Sequence, residues 1–161
     1  MKKIILALIV TVACQTGFAQ NADALYEEFK NEKGVESTNV SPMLMKFARL
    51  FIDKDDRSNP LIKGAQSVKV LDLEDSTKGT KKRFTQKVEQ LNLNGYDTWM
   101  QAKDDGENVR IIAKVKDDII HELLVMTTGD DDCALVIIKG KIKQEDVQAI
   151  IDDDKIMIDG R

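Results

Sequence analysis

Residues 107–143 read ENVRIIAKVKDDIIHELLVMTTGDDDCALVIIKGKIK. Their apolar residues recur with a period of two, the repeat of a strand with one buried face. Val109, Ile111, Ala113 and Val115 alternate with Arg110, Lys114 and Lys116, which predicts a strand with one wet face. Lys116-Asp117-Asp118 turns the chain, and Ile119 to Thr127 forms the next strand. Gly129-Asp130-Asp131-Asp132 turns it again. Cys133 to Lys139 (CALVIIK) is apolar on both faces, as expected of a central or helix-covered strand.

Upstream, Asp97 to Lys103 reads as a strand. It runs into Asp104-Asp105-Gly106-Glu107-Asn108, whose Asp-Gly pair is a hairpin signal. The result is a four-stranded antiparallel meander. Downstream, Gly140 to Gln144 leads into a last helix with Val147, Ile150 and Ile151 inward. The charged tail after Asp152 is expected to fray.

Before Gly95 the period is 3.6. Residues 23–33 (DALYEEFKNEK) place Leu25, Tyr26 and Phe29 at helical spacing, with Gly34 as a left-handed C-cap. Val35 to Val40 is a short β-favouring run. Ser41-Pro42 starts a helix with Met43, Leu44, Phe47, Leu50 and Phe51 on one side, ending in the polar loop DKDDRSNP. Ser67 to Asp75 alternates as a strand, Val68 and Val70 on one face and Leu71 and Leu73 on the other. Ser76 or Thr77 caps a helix over 79–92 with the stripe Phe84, Val88, Leu91. Tyr96, Trp99 and Met100 read as core filling where helix gives way to strand.

Helices gathered before and after a meander predict an α+β fold. The expected form is a two-layer sandwich: one mixed or antiparallel sheet with helices mainly on one face. Its length suits one domain, here residues 21–155, followed by a frayed tail at 156–161.

The first residues set the compartment. Lys2-Lys3 precede the ten-residue apolar run Ile4 to Ala13. That run is too short to span a bilayer, which takes about 20 residues, and it fits the core of a signal peptide. Two cuts compete. The box Thr11-Val12-Ala13-Cys14 would lead to lipidation of Cys14, but Thr11 stands where such a box usually has Leu. Gly17-Phe18-Ala19 meets the small-residue rule of the ordinary peptidase, with Gln20 as the new first residue; a cut after Gln20 also fits. The expectation is a signal peptide over 1–20 and a periplasmic protein, with a lipid anchor at Cys14 as the alternative and membrane contact only in that case. Cys133 would then be the sole thiol, so no internal disulfide forms.

Composition and motifs exclude more than they assign. The chain carries 24 basic and 28 acidic residues, a net charge of −4. Losing Lys2 and Lys3 takes it near −6, the wrong sign for general nucleic-acid binding. Phosphate-cradling, zinc-protease, Cys-x-x-Cys and nucleophile-elbow motifs are absent, so no cofactor or metal is expected. His121 is the only histidine; it and Cys133 are a conceivable dyad, read here as a sheet-face histidine and a structural thiol. Asp53, Asp55 and Asp56 fail as a calcium loop, because Arg57, Ser58 and Gly64 stand where ligands and a glycine are required. Lys78, Lys81, Lys82, Arg83 and Lys87 form a basic cluster on the third helix. Of these, Lys81, Lys82, Arg83 and Lys87 are the candidate contacts for an anionic surface. Without a stacking series of aromatics, single-stranded nucleic acid is not indicated.

Three segments carry a resemblance. LYEEFKNEKGVESTNVSPMLMKF, IKGAQSVKVLDLED and NVRIIAKVKDDIIHELLVMTTGDDDCALVIIKGKIKQEDVQAII are similar to the opening, second strand and C-terminal meander of a family of small exported proteins of Gram-negative bacteria, domain of unknown function 4252. The resemblance spans nearly the whole mature chain and rests on core-residue patterns. It implies export, sometimes with lipidation, and brings no activity or catalytic residues.

The expected function is therefore a non-enzymatic envelope protein that binds an envelope protein or senses an envelope condition. The competing class is a ligand binder or enzyme with a pocket between sheet and helices, on which His121, Glu122 or Asp72 would converge. Oligomeric state is not encoded in these patterns.

Overall fold

The computed structural model describes residues 21–43 and 63–148. The leader with Cys14, the stripe Leu44, Phe47, Leu50 and Phe51, the acidic loop at 53–60, Ile150, Ile151 and the tail lie outside the described residues.

Helix α1 spans Ala22–Phe29, and the side chain of Asn21 caps it by accepting from the Ala24 N–H at 2.8 Å. Its apolar spacing buries Leu25, Tyr26 and Phe29. The helix ends at Phe29, earlier than the pattern suggests, and turns lead on to Gly34. Gly34 takes φ +76°, and a Cβ there would run into the carbonyl of Asp75, so glycine is required on both counts. Strand β1 (Glu36–Val40) follows. Residues 42 and 43 are helical, but Met43 is 68% exposed rather than part of a buried stripe.

Strand β2 is Ala65–Asp72. Helix α2 (Lys78–Glu89) is capped by Thr77, whose side chain accepts from Thr80 N at 3.1 Å. The meander then runs β3 (Asp97–Asp104), β4 (Glu107–Lys116), β5 (Ile119–Thr128) and β6 (Ala134–Lys143). Its first two turns are tight. Asp105 and Gly106 have φ 41° and 87°, and Asp117 and Asp118 have φ 53° and 60°, the left-handed pairs of two-residue hairpins.

All six strands form one antiparallel sheet in the order β1-β2-β6-β5-β4-β3. The fold is α+β. Strand β6 is central, as its doubly apolar sequence suggests. It also runs further than expected: Gly140 does not lead into the helix but lies inside β6, opposite Ala65. The backbones approach so closely that a Cβ on Gly140 would strike the Gly64 carbonyl.

The alternation of the strands divides the apolar residues. On one face Leu71, Ile112, Leu124, Met126, Leu135 and Ile137 pack beneath α1 and α2. There Phe29 and Phe84 meet edge to face, ring centres 5.4 Å apart. On the other face Ala113, Ile120, Leu123 and Ile142 gather with Val147 of the helical residues 144–148, and Trp99 and Met100 pack against them half-buried. Val147 thus lies with the face opposite α1 and α2.

Candidate functional site

Among the described residues, a cluster of paired ionisable groups sits on the α1 side of the sheet, beyond the apolar layer. Lys114 of β4 and Glu122 of β5 are register partners, and Glu122 and Lys139 of β6 are partners in turn. Opposite charges thus face one another across three strands, an arrangement that stabilises a sheet. Lys69 of β2, paired with Ile137, continues the row diagonally. Asp23 in the first turn of α1 lies above it. Its carboxylate accepts from Lys69 Nζ at 2.9 Å and from Lys139 Nζ. Lys139 Nζ is also 3.9 Å from Glu122 Oε2. Tyr96 donates its hydroxyl to Glu122 Oε1 at 2.8 Å, and the Lys114 ammonium lies 5.7 Å from the Tyr96 ring centre. Lys69 Nζ stands 5.1 Å from the ring centre of Tyr26.

The electrostatics follow from this geometry. Burial alone would raise the Asp23 carboxyl, but hydrogen bonds and charge from Lys139 and Lys69 outweigh it and hold the group below the usual aspartate range. Burial, then the hydrogen bond to Glu122, pushes the Tyr96 phenol well above the ordinary tyrosine value. The cluster ties α1 to four strands and to the loop before β3.

The basic helix is largely engaged with its own protein. Lys81 is only 8% exposed and donates to the Asp131 carbonyl at 2.6 Å, closing the acidic turn between β5 and β6. Arg83 donates to Glu32 at 2.5 Å and lies over the Phe29 ring. Lys87 is 3.5 Å from Glu28. Lys82 is exposed.

His121 and Cys133 are not brought together. His121 is exposed and is the extra residue of a bulge in β5, between Ile120 and Glu122. Cys133 is fully buried just before β6, and its thiol donates to the Gly129 carbonyl at 3.2 Å. Ile120 pairs with Ile142 whereas Thr127 pairs with Ala134, so the two lie about 20 Å apart at ~3.4 Å per residue.

Two cavities are lined by described residues. One of about 500 Å³ lies between the Asp118 turn and the helical start, lined by Asp118, Ile119, Lys143, Gln144, Glu145 and Gln148. One of about 80 Å³ is lined by Glu36, Asp72, Glu74 and Asp75. Of the three convergence candidates, Asp72 lines the small acidic cavity, Glu122 is held by Tyr96 and Lys139, and His121 lines neither. Among the described residues no group of His, Cys, Asp and Glu stands where it could hold a metal ion. No described helix is long and apolar enough to cross a membrane.

No curated protein and no solved structure matches the chain. The family described as Domain of unknown function (DUF4252) matches over residues 26–150, from Tyr26 of α1 through the whole sheet, and the chain belongs to that family.

Proposed function

We propose that the protein is exported to the periplasm, with residues 1–20 removed as a signal peptide, and acts there by binding another envelope protein rather than by catalysis. The observation that carries the reading is how its reactive groups are used. Asp23, Lys69, Lys139, Glu122 and Tyr96 satisfy one another. Cys133 is buried against a carbonyl. These groups hold elements together instead of converging on a cavity, whereas an active site aims perturbed groups into one. The exposed sheet ends, β1 and β3, suit recognition of an extended segment of a partner.

A ligand-binding reading would rest on the cavity of about 500 Å³, whose size is in the range of small-molecule sites. Its charged lining pair, Lys143 and Glu145, is largely exposed, at 66% and 76%, which argues for a solvated rim.

The test is affinity capture of the tagged full chain from detergent-solubilised envelope. The expected result is one envelope protein in stoichiometric yield whose binding is reproduced with the two purified components. A chain that isolates alone, and whose Tm rises in the small-molecule fraction of the same extract, would establish the ligand-binding reading instead.

A further inference from the structure

Resting on the binding reading above, we infer which sheet end receives the partner and what it recognises. The free edge of β3 takes up an extended segment that alternates carboxylate and apolar side chains, with the carboxylates meeting Lys103 and Arg110.

Among the described residues β3 pairs with β4 alone, so its outer backbone groups are open to another strand. Register gives each face of this edge its own character. Gln101 and Lys103 stand opposite Arg110 and Asn108 of β4. Arg110 in turn stands opposite Met126, which places these four polar residues on the α1 and α2 face. The bulge between Thr98 and Met100 sets both Trp99 and Met100 against the apolar cluster of the other face, and Ala102, opposite Val109, follows them there. Residues 101–104 are exposed. The acidic pair of this hairpin, Asp104 opposite Glu107, lies on that second face, away from Lys103 and Arg110.

These two cations are left without partners. Lys69, Lys139, Arg83 and Lys87 each have a carboxylate within 4.0 Å, whereas among the described residues Lys103 and Arg110 have none. Arg110 is half-buried, and its Nε is closed off from water with no acceptor. An unmatched buried donor is costly, the more so on a charged group. A carboxylate set beside β3 offers that guanidinium a charged acceptor. Asn108 Oδ1, on the same face, is likewise unmatched, and a half-turn of the amide presents its NH2 to the same carboxylate. Lys103 at the rim discourages indiscriminate strand pairing and selects for the same charge. Strand β1 offers no such code: between Glu36 and Val40 it presents the uncharged Ser37, Thr38 and Asn39.

The test uses the purified full chain, with Trp99, its only tryptophan, as a fluorescent reporter inside β3. End-blocked peptides alternating glutamate, glutamine or lysine with valine are titrated at low salt. The glutamate peptide is expected to bind saturably, the glutamine peptide about fivefold more weakly, and the lysine peptide not at all. Added salt should weaken the glutamate peptide. Of the two ways of N-methylating its alternate backbone amides, one should abolish binding, because the ladder donors are gone. Lys103→Gln should weaken binding about fivefold and Arg110→Gln roughly tenfold. Lys103 is exposed, so its variant keeps the test open should Arg110→Gln not fold. No saturable binding of the glutamate peptide, equal binding of all three, or binding that survives both methylations overturns the proposal. So does a dimer of the chain alone that Lys103→Gln dissociates, which gives the edge to a second copy. An envelope protein captured as above whose affinity is unchanged in both variants overturns this surface and leaves the binding reading standing.

Discussion

Lys139, 116 residues downstream of Asp23, donates a hydrogen bond to its carboxylate. The contact joins the first helix to the last strand, and Lys69 of β2 completes it from the neighbouring strand. Removing the carboxylate takes from Lys69 and Lys139 the acceptor they share and leaves them the longer contacts to Glu27 and Glu122.

Asp23→Asn should therefore cost about 1 kcal/mol at neutral pH, a modest figure because the site is partly solvated. Asp23 is held below its ordinary value of 3.8. Its contribution is present above that value and is lost as pH falls through the depressed folded one. Urea unfolding at pH 7 and pH 3 should show the variant losing less stability on acidification than the wild type. Equal losses would remove Asp23 from the acid response.

Tyr96→Phe deletes the hydroxyl that Glu122 accepts from. The expected cost is about 1 kcal/mol, the net worth of one such bond. The phenol is raised in the folded state, so its contribution holds below the ordinary tyrosine pKa and is lost as pH rises above it. Alkaline unfolding should be less steep in the variant. In an absorbance titration, the wild-type-minus-variant difference should show no Tyr96 phenolate until well above the ordinary tyrosine range.

Gly140→Ala forces a methyl group into the Gly64 carbonyl across the β2–β6 ladder. Backbone cannot yield as a side-chain tip does, so a loss of about 2–3 kcal/mol is expected. Gly106→Ala meets nothing within 4 Å and pays only for its φ of 87°, about 1 kcal/mol. Chemical denaturation of the pair separates collision from conformational cost.

Asp118 holds φ 60° in the β4–β5 turn, a region that costs side-chain-bearing residues about 1 kcal/mol, less for Asp. Asp118→Gly should raise stability by up to about 1 kcal/mol, with the midpoint of urea unfolding moving up and its slope unchanged.

Much of the architecture was legible in the chain, for physical reasons that differ by element. The meander announced itself through its period of two and through Asp105-Gly106 and Asp117-Asp118, where local chemistry decides the turn. Helix α2 did so through Thr77 and the spacing of Phe84 and Val88. The charged row did not. Counting back from the Asp117-Asp118 turn would pair Lys114 with His121. The bulge at His121 moves Glu122 into that place instead, and with it onto the face of Lys139 and Tyr96. No periodicity encodes a bulge. Lys81 was equally opaque: its charge marks it for solvent, yet its long stem lies buried while its ammonium reaches the Asp131 carbonyl. Gly140 reads as a helix lead-in because only the approach of β2 shows why glycine is needed.

The strand order has a consequence for how the chain folds. Strands β3 to β6 can zip together through successive short turns, each closing few residues. Strand β2 must instead wait for β6, which lies beyond the entire meander in sequence. Its pairing carries most of the loop-closure entropy of the fold, and β1 can only extend what β2 has begun. For a chain delivered N-terminus first, β1 and β2 emerge early and remain without their central partner until the last strand has arrived. The rate-limiting step is expected there, and so is the interval in which an unpaired strand is open to mispairing.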